Sequence, residues 1–272
     1  MIIEQTYNLL KNNYKNVFEN LVISDIRIGL YLTAVRLSDD SIGTSATLAE
    51  DHPFCAKNNR DFGDFTPFKI KGQKVQDLLE TSKESKIISS LKTAVLNAVS
   101  SKIILSGKYK IIENCDPVQL IDLDPPKTIA IVGAFQSYIR KISQTENKLY
   151  VLEMNENALP PDQKKYFIPS AEYQIILPRS DIVIITGQAL VNGTIDDLLK
   201  AISPQAMVVL SGPSGNLLPD ILFQNKISII GAIRITDPDK LFEIVSEGGA
   251  GFHLFEYCAR KICILRDGIQ IK

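Results

Sequence analysis

The chain has 272 residues, 45% of them hydrophobic and 22% charged, with 30 Lys+Arg against 31 Asp+Glu and a formal net charge of −1. Ordinary hydrophobic and charged fractions point to a globular protein, and the length suggests about two domains. The balanced charge argues against a protein built to grip nucleic acid, which needs clustered positive charge. No apolar run reaches the ~20 residues of a membrane span, and the N-terminus lacks a signal pattern. Four cysteines in this length do not make a disulfide scaffold, so a cytoplasmic setting with free thiols is expected.

In chain order, Leu9, Leu10, Tyr14, Val17, Phe18 and Leu21 recur at helical spacing and predict an N-terminal amphipathic helix. Ile26–Leu32 alternates toward β. It is followed by the acidic turn Ser38–Ser41 and a second run, Ile42–Leu48, together read as a hairpin. Pro53–Lys74 has no clean period and reads as a long loop. Val75, Leu78 and Leu79, then Ile87, Ile88, Leu91, Val95 and Val99, predict one or two helices packed on that sheet. The acidic, proline-rich Asp116-Pro117 and Asp122–Pro126 mark a linker, because adjacent prolines stop helices and central strands. The division is therefore 1–115 as a small α+β unit, 116–127 as linker and 128–272 as an α/β unit.

The second unit alternates strand-like and helical segments. The strand-like runs are Ile129–Val132, Leu149–Leu152, Ile182–Ile185, Met207–Leu210, Ile227–Ile230 and Ile262–Leu265. Their Ile/Val/Leu content suits strands buried on both faces of a parallel sheet. Helical segments such as Ile195–Ile202 and Pro238–Val245 lie between them. This is a Rossmann-like, doubly wound, mostly parallel pattern.

Ligands of such sheets sit at the strands' carboxyl ends. Gly133, Glu153, Thr186, Gly187, Asn192, Gly212, Pro213 and Ser214 follow the strands and are the candidate ligand residues. Gly133 with Glu153 twenty residues on is half of a dinucleotide fingerprint. Phe135 and Tyr138 replace its other glycines, which disfavours a bound NAD pyrophosphate. Thr194 with Asp197 fits a helix capping box. Glu247–His253 places a glycine-rich turn before a short helical segment, and it either presents amides to an anion or simply connects a helix to the last strand.

Both histidines sit beside carboxylates and a thiol. One cluster is Glu50, Asp51, His52 and Cys55, and the other is His253, Glu256 and Cys258. Imidazole with thiolate suits a transition-metal ion, the one cofactor the sequence suggests. Neither cluster has paired Cys-x-x-Cys spacing, and the preferred reading of each histidine is a hydrogen-bonded structural or surface residue. If both clusters converge they supply two imidazoles and up to two thiolates; apart, each has too few ligands. Asp61-Phe62-Gly63 has none of a kinase's companion motifs, and neither a Gly-x-Ser-x-Gly elbow nor a P-loop occurs.

Ile131–Phe135, Leu152-Glu153, Pro178–Gly187 with Asn192-Gly193-Thr194, and Ser211–Ser214, together with Ile42–Leu48, resemble the family called "putative heavy-metal chelation". The resemblance spans nearly the whole chain. It implies an enolase-N-terminal-like α+β domain before the Rossmann-like one, with a site in the cleft between them, which adds Thr44 and Thr47 to the ligand residues. It also implies a role in handling heavy metals or metallo-cofactors, but supplies no catalytic residue. Three functions stay open: a small-ligand or metal-binding protein, an enzyme using a nucleotide-like or phosphorylated small molecule, and a non-catalytic sensor. The expected partner is a small molecule or metal ion, not nucleic acid or a membrane, and a homodimer is left open.

Overall fold

The structure, a computed structural model, describes residues 1–49 and 62–271. The chain opens with α1 (Ile2–Asn13) and α2 (Lys15–Phe18), which bury Ile2, Leu10 and Phe18. Three strands follow, β1 (Ile23–Ile28), β2 (Leu32–Leu37) and β3 (Ile42–Ala46), paired antiparallel in that order. The expected hairpin is thus a three-stranded meander. Its first run divides at Gly29, where a Cβ would stand 2.2 Å from the Val245 carbonyl oxygen. Glycine lets the chain turn against that backbone.

Two helices cover this sheet, α3 (Val75–Glu80) and α4 (Lys86–Ile103). Ser85 caps α4 by accepting a hydrogen bond from the Ile88 amide. The stretch Lys86–Lys108 has the length and apolarity of a membrane span, but 67% of its apolar window is buried inside the fold. It is a core helix. Its small residues let β3 approach closely, since a Cβ on Gly43 would lie 2.1 Å from the Ala94 carbonyl oxygen and 2.3 Å from the Ala98 nitrogen.

The large sheet has eight strands. In chain order they are β4 (Ile111–Glu113), β5 (Thr128–Val132), β6 (Lys148–Glu153), β7 (Phe167–Pro169), β8 (Ile182–Thr186), β9 (Met207–Ser211), β10 (Ile227–Ile235) and β11 (Ala259–Leu265). Their spatial order is β4-β11-β10-β9-β8-β5-β6-β7. From β10 to β7 every pairing is parallel, while β11 and β4 are antiparallel. The chain leaves β5 toward β6 on one side and returns to β8 on the other, so strand order reverses between β5 and β8. Helices α5 (Gln136–Ile142), α6 (Tyr173–Ile176), α7 (Gln188–Val191), α8 (Ile195–Ala201), α9 (Pro219–Gln224), α10 (Pro238–Ser246) and α11 (Gly251–Tyr257) make the connections.

The sequence division at 115 is not a division of the core. Leu10, Leu91 and Val95 share one buried cluster with Leu210, Leu217, Leu222 and Ile230. Strand β4, from the first segment, is an edge of the large sheet. Helix α1 is tied to the second segment where the Ile2 amide donates to Asp196 Oδ1 at 3.1 Å.

Candidate functional site

Gly133 directly follows β5 with φ +108°, and Gly212 follows β9 with φ +120°. Both are left-handed-side conformations that glycine adopts without strain. They turn the chain sharply at the strand ends, and Gly133 lies beside open space at the ends of β5, β6 and β8. There, at the reversal of strand order, lies a cavity of about 700 Å³. Its apolar wall includes Val132, Ala134, Leu152, Ala158, Ala189 and Leu198. Its polar groups are Glu153, Ser170, Thr186, Gln188, Asn192, Thr194 and Asp197, with Phe135 and Tyr173 as aromatic members.

Glu153 ends β6 and is fixed by the chain that follows it. Its Oε1 accepts from the Met154 amide at 2.7 Å and the Asn155 amide at 3.3 Å. Asn192 Oδ1 accepts from both the amide (3.1 Å) and the hydroxyl (2.8 Å) of Thr194. Thr194 therefore does not form the expected capping box: at the start of α8 its side chain accepts no capping bond. Phe135 lines the cavity, but Tyr138 does not block it. The Tyr138 ring stacks on Phe135 at 5.1 Å and is buried, with its hydroxyl 3.2 Å from Ser211 Oγ. That burial pushes the phenol well above its ordinary value.

Of the sequence-derived ligand residues, Gly133, Glu153, Thr186 and Asn192 line this cavity. The others do not, and instead form a packed seam where β3 meets the turn Pro213–Gly215. Thr44 Oγ1 donates to the Pro213 carbonyl at 3.0 Å, and the Ala46 amide donates to Ser214 Oγ at 2.8 Å. Asn97 Nδ2, from α4, donates to the Thr44 carbonyl at 2.7 Å and the Ser214 carbonyl at 3.0 Å. Thr44 is 2% exposed and Ser214 3%, so no open cleft runs between them. Thr47 Oγ1 pairs with Thr33 Oγ1 at 2.9 Å. Gly187 belongs to the seam as well: a Cβ there would lie 3.0 Å from the Gly215 nitrogen, and Gly212 lies beside it. A side chain at Gly187 would therefore strain packing.

Among the described residues no group of three or more His, Cys, Asp or Glu side chains could hold a metal ion. His253 Nδ1 accepts from the Ala250 amide at 2.9 Å and so closes the start of α11. Cys258 is 1% exposed in an apolar cluster, and burial pushes its thiol up to about 11. Its thiolate is thus disfavoured, and His253, Glu256 and Cys258 do not converge as ligands. Glu50, Asp51, His52 and Cys55 lie outside the described residues.

The sequence reading missed Ala158, Ser170, Ala171 and Tyr173 as cavity residues, and took Asp197 only as part of a cap. The first four come from short turns around β7, a three-residue strand with no readable period.

Residues 116–264 match a family described as "Putative heavy-metal chelation", and residues 11–100 match a second family with the same description. An uncharacterized protein of Methanocaldococcus jannaschii is 25% identical over 249 residues, covering 88% of this chain and 89% of its own. Two solved structures, both of proteins of unknown function from the first of these families, share the fold. That from Pyrococcus horikoshii has 24% identity, covers 97% of this chain and 98% of its own, and gives a TM-score of 0.76. That from Desulfitobacterium hafniense DCB-2 has 16% identity, covers 97% and 99%, and gives 0.71.

Proposed function

We propose, for a chain that belongs to the family described as "Putative heavy-metal chelation", that it binds a small organic ligand in the cavity between the ends of β5, β6 and β8. The observation that carries this reading is the coincidence of a 700 Å³ cavity with the reversal of strand order. That is where open α/β sheets seat ligands, and the volume lies in the range of small-molecule sites. A mixed wall of aliphatic groups and a few fixed polar ones suits an organic molecule better than a bare ion. Direct chelation by the protein is supported less, because the described His, Cys and carboxylate groups form no ligand set. No described nucleophile–base pair lines the cavity, so binding is the reading rather than a named reaction.

The test is thermal shift with two panels, small organic metabolites and soft or divalent metal ions, on the wild type and Ala171→Trp. Ala171 is exposed at the cavity wall, so an indole there fills the cavity without disturbing the core. Stabilisation by an organic compound that Ala171→Trp abolishes is the expected result. Stabilisation by metal ions alone, equal in both proteins, contradicts the reading.

A further inference from the structure

The geometry points to a ribonucleoside that carries no phosphate as the class of molecule the cavity takes, with its ribose diol on Glu153. The inference rests on the reading of that cavity as the ligand site.

The first observation is the state of the backbone after β5. In dinucleotide sites the amides at this turn and at the following helix start are free to cradle a pyrophosphate. Here the Phe135 amide donates to the Gly133 carbonyl at 3.0 Å, and the Gln136 amide donates to the Ala134 carbonyl at 3.0 Å. Two amides of the turn are therefore already used within it. A phosphate would have to break one of these bonds to gain either donor.

Charge supplies the second observation. Among the described residues, Glu153 and Asp197 line the cavity and no Lys, Arg or His does. Asp197 pairs with Lys200 at 2.9 Å, but Lys200 stands outside the cavity wall. Among the described residues Glu153 has no cationic partner. A phosphate dianion brought into this cavity would meet like charge with no cation on the described wall. A neutral or cationic ligand would not.

The third is the posture of Glu153. Two successive backbone amides hold Oε1, while Oε2 has no protein partner among the described residues. The carboxylate is therefore oriented with one oxygen left to accept. It sits at the end of the strand beside the glycine turn, which is the place from which an acid accepts from ribose hydroxyls. A diol supplies two donors to such an acceptor and asks for no positive charge. Gln188 and Asn192, whose Oδ1 is held by Thr194 but whose amide nitrogen is not, also line the cavity and carry amide groups suited to a base edge, and Phe135, stacked on Tyr138 by one face, is its aromatic neighbour.

The experiment is titration calorimetry of the wild type with adenosine, guanosine, cytidine and uridine, with the 5′-monophosphate and 2′-deoxy form of each, and with NAD. At least one ribonucleoside should bind, with its monophosphate and its 2′-deoxy form each about tenfold weaker or worse. Glu153→Gln should weaken the ribonucleoside about tenfold and the 2′-deoxy form, which keeps only its 3′ donor, by clearly less, so that the preference for ribose narrows, a pattern that mere loss of structure would not give. Tighter binding of the monophosphate, or equal binding of the 2′-deoxy form, overturns the proposal. If no nucleoside binds while another organic compound is still excluded by Ala171→Trp, this inference fails and the reading of the cavity stands. If Ala171→Trp excludes nothing, the reading itself fails.

Discussion

Thr44 and Pro213 are joined by a 3.0 Å hydrogen bond across 169 positions of sequence. This contact converts what the strand-end residues alone suggest, a cleft between two units, into a closed seam. Small hydroxyl and glycine residues permit close approach by a ligand or by another stretch of backbone. At Gly187, Gly212 and Ser214 it is backbone that approaches. The cavity lies on the other side of the Thr186-Gly187 turn, toward β6.

Asn97 should be the strongest single tie in the seam. It is fully buried, and its amide bridges carbonyls from both segments. Asn97→Ala leaves those carbonyl oxygens without that donor and opens a small void, so a loss of about 2–3 kcal/mol is expected. Urea denaturation should show a lower midpoint with an unchanged slope. A loss below about 0.5 kcal/mol would mean the seam closes without it.

Glu80 predicts an acid-dependent part of stability. The Lys11 ammonium and then the Tyr7 hydroxyl hydrogen-bond it and hold its carboxyl down to about 2, from an ordinary 4.5. Its folded-state value is the lower one, so its contribution is complete above pH 4.5 and is lost as pH falls toward 2. The group is about half exposed, so the effect should stay below about 1 kcal/mol. Glu80→Gln should flatten the stability–pH curve between those values, losing up to about 1 kcal/mol at pH 7 and little near pH 2. An equally steep curve in the variant would contradict the assignment.

Cys258 should resist alkylation. Burial raises its thiol to about 11, so almost none is thiolate at pH 7.5. Iodoacetamide followed by peptide mass spectrometry should find Cys258, Cys115 and Cys263 unmodified in the native protein and modified after unfolding. All three are buried. Rapid native labelling of Cys258 would show that α11 opens.

Much of the fold was legible because β5, β6, β8, β9 and β10 are largely buried and read as runs dominated by Ile, Val and Leu. Strands β4 and β7 were not legible, since three residues at a sheet edge carry no period. The split of β1 from β2 was missed because its cause is tertiary, the approach of Val245 to Gly29. Within the candidate site, Gly133 and Glu153 were readable from spacing, and Thr186 and Asn192 from their places after β8. Ala171 and Tyr173 were not, because turns around β7 bring them in. Residue type alone could not tell ligand wall from packed seam: Thr44 and Thr186 look alike in sequence, and only the partner each one meets separates them.

The central claim is that the cavity, not the seam, receives the ligand. It is tested most directly by hydrogen–deuterium exchange with and without the tightest-binding ribonucleoside of the calorimetric set. The prediction is slowed exchange at 132–136, 152–158 and 186–194, with no change at 44–48 and 211–216. Protection confined to 44–48 and 211–216 would contradict it.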